Sequence, residues 1–240
     1  MNGIIQNTTY NPYQPIAPAH FVYGNPQSLE RIEDIITGDE QIPSAFGKCG
    51  IILYGVFGTG KTTLAKLLPA LIEMGKTNEE LSMEAEFLAC KQGFTGPQIM
   101  SKLDGWMSTS SLNASGLHYF ILDEVDMLHK LTQESLKSVL NTKRAVFILT
   151  TNNLAKLDKG LRDRCVLIEM NAANDSEYLP LARRRMNDMN VALTDEQLLE
   201  AISLGRGSIR TVMEQVELTA RRHLKKHRIA ANGPQSSIAA

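Results

Sequence analysis

The sequence predicts a three-layer α/β fold, in which a parallel sheet lies between two layers of helices, followed by a small all-helical domain. Three observations carry that reading. Short apolar runs, among them Ile51–Leu53, Tyr119–Leu122, Ala145–Leu149 and Val166–Met170, alternate with stretches whose apolar residues recur every three or four positions, the pattern of strand-helix-strand units. The first three runs are unbroken by polar residues, as in strands covered on both faces. After Asn171 the strand-like runs stop while helical periodicity continues to about Arg228. The parts divide into an extended arm (1–20), an α/β domain (21–172), a helical domain (173–228) and a tail (229–240).

Taken in order, residues 1–20 are rich in Asn, Pro, Thr and Tyr, which predicts an extended arm lying on the surface. Ser28 is a capping candidate for a helix from Leu29 to about Thr37, with Ile32, Ile35 and Ile36 on its apolar face. The first buried strand follows a loop at 38–49. From Thr62 the spacing of Leu64, Leu67, Leu68 and Leu71 predicts a helix, kinked at Pro69. Polar residues 75–83 read as a loop, Ala85–Ala89 as a further strand, and Ile99, Leu103, Trp106 and Met107 as a helix interrupted by Gly105. Trp106, on that stripe, reads as core. A helix over Met127–Leu140, a short amphipathic segment at Leu157–Arg164 and the strand Val166–Met170 complete the first domain. In the second, Asp175–Met189, Thr194–Ser203 and a stretch from Ser208 to about Lys226 read as helices, Thr194 and Gln197 forming a capping box.

At 240 residues the chain is long enough for a sizeable core, and its formal charge of −1 excludes a globally basic nucleic-acid binder. Cys49, Cys90 and Cys165 are odd in number, lie in or beside apolar runs and have no metal-ligand spacing. They read as reduced core thiols of a cytoplasmic protein. No apolar run approaches the length needed to cross a bilayer, so no membrane association is expected.

The chemistry centres on Gly55-Val56-Phe57-Gly58-Thr59-Gly60-Lys61-Thr62, with Thr63 next, between the first strand and its helix. Glycines let the backbone curl with its N–H groups inward, close to a phosphate. In this pattern Lys61 places an ammonium against the β- and γ-phosphates, Thr62 offers a hydroxyl to Mg²⁺, and the helix N-terminus faces the same charge. The run Tyr119–Leu122 ends in Asp123-Glu124, at the strand end where ligands bind in open parallel sheets. Asp123 is the candidate to hold Mg²⁺ and Glu124 the candidate to orient and deprotonate an attacking water. Asn152, just past the strand Ala145–Leu149, is placed to align that water or to contact the γ-phosphate; a plain turn residue is the alternative.

This set of residues resembles the AAA+ ATPases, and within them the clamp-loader group typified by small subunits of replication factor C and their phage counterparts. The resemblance covers about residues 10–228. It implies that Gly55–Thr62 and Tyr119–Glu124 are Walker A and B motifs binding ATP and Mg²⁺, and that Asn152 is sensor 1. It further implies that Arg164, in Asp163-Arg164-Cys165, is an arginine finger acting in trans on a neighbour's nucleotide, and that Arg210, after Gly207-Ser208-Ile209, is sensor 2. Tyr13 and Pro15, with Val22, Tyr23 and Gly24, stand where the group's N-terminal arm lines the adenine pocket. Gln14 replaces an arginine of that pattern and Asp163 a serine; an ion pair with Asp163 or another acid is the alternative role for Arg164. The group's third, collar domain has no counterpart expected after residue 228.

The function implied is ATP hydrolysis by an oligomeric, clamp-loader-like motor or switch acting on DNA in replication or repair. Its partners would be identical or related subunits in a ring or filament, DNA, and a sliding clamp, a helicase or a recombinase. A helicase loader or transposition regulator assembling on DNA is the nearest rival. A protein-remodelling ATPase is a second, but its aromatic-hydrophobic-glycine pore loop finds only Phe94-Thr95-Gly96. Arg221, Arg222, Lys225, Lys226 and Arg228 crowd the last helix, either as a DNA contact or as a solvated end complementing the helix dipole. His223 and His227 there have metal-ligand spacing but no third ligand.

Overall fold

A computed structural model describes residues 14–90 and 93–231. Tyr13, the rest of the arm before it and the tail from residue 232 lie outside the described residues, as does the side chain of His227. A five-stranded sheet has the order β2-β3-β4-β1-β5, with β1 Gly50–Tyr54, β2 Glu86–Ala89, β3 His118–Asp123, β4 Ala145–Thr151 and β5 Cys165–Glu169. Every pairing is parallel, and β1 sits between β4 and β5 with Gly50 opposite both Phe147 and Cys165.

Strand geometry sends successive side chains to opposite faces, and here each face has its own apolar core. Ile52, Phe120, Leu122, Phe147 and Leu149 point to one side, where they meet Ile99 and Leu103 of α3 (Gly96–Met107), Leu136 and Val139 of α4 (Lys130–Val139) and Leu161 of α5 (Lys159–Asp163). Ile51, Leu53, Tyr119, Ile121, Val146 and Ile148 point to the other, against Ile32 and Ile35 of α1 (Pro26–Thr37) and Leu64, Leu68 and Ile72 of α2 (Lys61–Thr77). That arrangement is the predicted three layers. Trp106 packs on the first core, stacked on Phe120 with ring centroids 5.8 Å apart.

Several boundaries differ from expectation. The cap of α1 is Asn25, whose side chain accepts from the Gln27 amide, while Ser28 is buried inside the helix; Pro26 supplies a preset first turn that decides against Ser28. Helix α2 continues past Pro69 to Thr77, with Pro69 buried, so it occupies the start of the expected loop. Helix α3 likewise runs through Gly105. The single helix expected over Met127–Leu140 divides into a 3-10 turn, Val125–Met127, and α4, because Leu128 and His129 between them are extended.

The remaining helices, α6 (Leu179–Asp188), α7 (Asp195–Ser203) and α8 (Ile209–Ala231), pack around a third cluster. Tyr178, Met186, Leu198, Ile202, Val212 and Val216 are its centre, and Val22, just past the arm, packs against it. The Thr194–Gln197 capping box opens α7. No described helix is long and apolar enough to cross a membrane.

Candidate nucleotide-binding site

The C-terminal ends of β1, β3 and β4 converge with the first turn of α2 and the first turn of α8. Two adjoining clefts of about 170 and 310 Å³ share Gly58, Gly60, Thr63 and Arg210. Phe57, Lys61, Thr62, Glu124, Thr150 and Asn152 complete the first, and Pro15, His20, Phe21, Leu181 and Ile209 the second.

The glycine-rich loop is built for close approach. Gly58 has φ +79°, and a Cβ there would collide with the Ser208 hydroxyl, so loop and helical domain touch at an atom-sized gap only glycine leaves. The Ile209 amide, at the start of α8, donates to the Gly58 carbonyl at 2.9 Å. Lys61 is buried and its ammonium donates to the carbonyls of Gly55 (2.9 Å) and Val56 (2.6 Å). Burial holds that ammonium below its usual range, opposed by the carboxylates of Asp126, Asp123 and Glu124. Thr59 caps the loop internally through its hydroxyl to Val56 O, and the Val56 amide donates to Asn171. Phe57 is 76% exposed at the rim.

The acidic side is one hydrogen-bonded chain. The Thr62 hydroxyl donates to Asp123 Oδ1 at 2.7 Å, and the Thr150 hydroxyl donates to the same oxygen at 2.7 Å. Thr150 also accepts from the Glu124 amide at 2.9 Å. Glu124 itself has φ +58°, an uncommon backbone for a non-glycine residue, and its side chain is exposed to the cleft. Next to it, the Thr151 hydroxyl and the Asn152 amide both donate to Asp126 Oδ1. Arg210, second in α8, is exposed and lines both clefts.

The sequence-predicted residues therefore gather here with some exceptions. Pro15 lines the second cleft, but the lining from the N-terminal stretch is otherwise His20 and Phe21. Val22 is drawn to the helical cluster, the Tyr23 hydroxyl donates to Pro18 O, and Gly24 is backed against Ala172 O. Arg164 lies away from both clefts, its guanidinium donating to Asn141 Oδ1 (2.9 Å) and Gly160 O (2.8 Å). Asp163 is not its partner. The sequence assigns no role to Thr150, Asp126 or Phe21; a threonine or an aspartate at a strand end carries no signal that separates a bridging group from a turn residue. On α8, Arg221 pairs with Glu217, while Arg222, His223 and Lys226 line a separate groove with Leu193 and Leu204.

Thr62 and Asp123 present hard oxygen donors 2.7 Å apart, a set that suits Mg²⁺. Among the described residues no group of three or more His, Cys, Asp or Glu side chains could hold a metal. An ion here would complete its shell with phosphate and water oxygens, the usual habit of Mg²⁺.

Residues 50–195 match the AAA domain (dynein-related subfamily). The chain is 25% identical over 210 residues to a protein of Dictyostelium discoideum described as probable replication factor C subunit 2, covering 86% of this chain and 59% of that protein. It is 22% identical to replication factor C small subunit 2 of Pyrobaculum islandicum, over 81% of this chain and 61% of that one. The chain thus spans about three fifths of the length of these curated relatives. Among solved structures, a point variant of RuvB from Thermotoga maritima superposes with a TM-score of 0.64 at 18% identity, covering 90% of this chain and 67% of that one, a likeness of fold. The clamp-loader resemblance read from the motifs and the fold seen in the structure agree with these findings. With the match extending over more than half of its residues, the chain belongs to the AAA domain family.

Proposed function

We propose that this protein hydrolyses ATP as part of an oligomeric, clamp-loader-like motor or switch acting on DNA. The observation that carries the hydrolytic reading is the convergence on one cleft of Lys61, the Thr62–Asp123 pair, Glu124 and Arg210. Lys61 would neutralise charge on the β- and γ-phosphates, and loop amides would hold the phosphate oxygens. Thr62 and Asp123 would hold Mg²⁺, which when bound supplies positive charge to the phosphoryl oxygens. Glu124 would take the proton of the attacking water, with Asn152 orienting that water from the end of the neighbouring strand. Arg210 would bring a planar, permanently charged fork from the helical domain to the same phosphates. Gly55, Val56, Phe57, Gly58, Thr59, Gly60 and Thr63 would surround them. The resemblance puts Tyr13, Pro15, Val22, Tyr23 and Gly24 around the adenine; Pro15, His20 and Phe21, which line the second cleft, are the residues favoured for that place.

DNA as the partner is supported by the replication factor C relatives and by the cations exposed on α8. Hydrolysis is expected to rise on adding DNA at low salt and to fall back as salt is added, because phosphate contacts release counterions. Turnover unmoved by DNA at any salt, with no DNA bound in the presence of an ATP analogue, overturns the DNA reading. Oligomeric action is supported by Arg164, which lines neither of the two candidate clefts of its own subunit. Arg164→Ala is expected to bind ATP and lose hydrolysis about a thousandfold. Mixing it with Lys61→Ala, which keeps Arg164, is expected to restore turnover at mixed interfaces; no recovery at any ratio, with co-assembly confirmed, refutes action in trans.

A further inference from the structure

We propose that Thr150 is the positioning residue for Glu124, holding the left-handed backbone that aims this carboxylate into the cleft. The proposal rests on the reading of Glu124 as the base. Backbone pairing between β3 and β4 ends at Leu122 opposite Leu149, one residue short of Asp123. Beyond that point the strands are joined through the Thr150 hydroxyl, which accepts from the Glu124 amide at 2.9 Å and donates to Asp123 Oδ1 at 2.7 Å. Thr150 is 1% exposed, so water does not compete for the hydroxyl, whereas the Glu124 side chain is exposed.

Two facts make the bridge more than an incidental contact. Glu124 holds φ +58° and ψ +49°, a conformation that persists in a non-glycine residue where the surroundings impose it. One hydroxyl acts as acceptor for the residue in that conformation and as donor to its neighbour, which fixes Asp123 and Glu124 relative to each other. The Thr62 hydroxyl reaches the same Asp123 oxygen, so the phosphate loop's helix, the acidic strand and the next strand are referred to a single atom. Removing the Thr150 hydroxyl would leave Lys61, Thr62 and the loop in place and free the Glu124 backbone to relax toward an extended form, carrying its carboxylate off line.

The test compares Thr150→Val, which keeps the β-branched shape and loses the hydroxyl, with Thr150→Ser, which keeps the hydroxyl. Hydrogen exchange at the Glu124 amide, measured on the protein without nucleotide, is expected to quicken on the order of tenfold in T150V and to return to the parental rate in T150S. In the same variants kcat is expected to fall by about tenfold or more in T150V with KM for ATP within about twofold, and to recover in T150S. Should T150V not fold, T150A carries the same comparison. Unchanged exchange in T150V, unchanged kcat, or failure of T150S to recover either would overturn the proposal. A parental protein without hydrolysis, or a Glu124→Gln variant as fast as the parent, would instead sink the reading of the base, and the exchange result would still decide whether Thr150 holds Glu124.

Discussion

Strand β3 is fastened to helix α2 at both of its ends, by a carboxylate and hydroxyls each time, and the two fastenings differ in kind. At the cleft end, Asp123 of the strand receives the hydroxyl of Thr62 in the first turn of the helix, and neither residue is fully buried. At the far end the roles are exchanged. Glu73, in a late turn of α2, is 0% exposed and accepts from the Ser115 amide and hydroxyl and from the Tyr119 hydroxyl at 2.8 Å. Burial, followed by the bond to Glu73, pushes the Tyr119 phenol well above its usual range. A carboxylate saturated with donors and shut away from water stabilises and does nothing else, whereas the same group with an open side is available to a ligand.

That comparison can be broken at either end. Glu124→Gln, at the open end, is expected to keep ATP bound and slow hydrolysis by about a hundredfold or more, with the melting temperature unmoved. A steady-state rate equal to the parent's, or a large fall in melting temperature, would put this end in the same class as the other. Glu73→Ala, at the closed end, strands three donors in an apolar interior and is expected to cost about 3 kcal/mol, lowering the melting temperature by about 10 °C. If calorimetry shows no change, the buried node is not a fastening.

The cysteines sharpen the contrast by a smaller effect. Cys49 lies just before β1 and is pushed up to about 11 by burial, with Arg164 pulling against it. Cys90, whose amide donates to Asp123 O, is pushed up to about 12 by burial and then by Asp123, Glu124 and Asp126. Both folded values lie above the ordinary 9.0, so their stabilising contribution is complete below pH 9 and is lost as pH rises through about 11 and about 12 respectively. Urea midpoints are therefore expected to fall between pH 9 and 11, less steeply in Cys49→Ala; equal slopes would remove Cys49 from the account.

The layers and the glycine-rich loop between β1 and α2 were legible because they rest on patterns with strict physical causes. Unbroken apolar runs mean strands covered twice, and Gly55–Thr62 has few uses other than wrapping a phosphate. What escaped was decided by contacts distant in sequence. Ser28 and Asn25 are both competent caps, and Pro26 settled the choice. The direction of the Arg164 side chain depends on Asn141 and Gly160 rather than on adjacent Asp163. Phe21 lines the second cleft while Val22 packs against the helical cluster, a division that alternation along so short a segment does not reveal. Thr150 was visible only as a polar residue ending a strand; its bridging role requires β3 as its neighbour, and strand order is not written in the spacing.

The hydrogen bond from Ile209 to Gly58 also sets a mechanical scale. It pins the first residue of a helix 23 residues long to the loop that would carry the phosphates. At 1.5 Å per residue such a helix is a rod of about 35 Å, so a tilt of about 10° at its pinned end sweeps the free end through about 6 Å. The pivot sits among Gly58, Ser208 and Arg210, and the sweep arrives where Lys225 and Arg228 are exposed. A displacement too small to see at the loop is magnified, at the tip of this lever, to the size of a whole side chain.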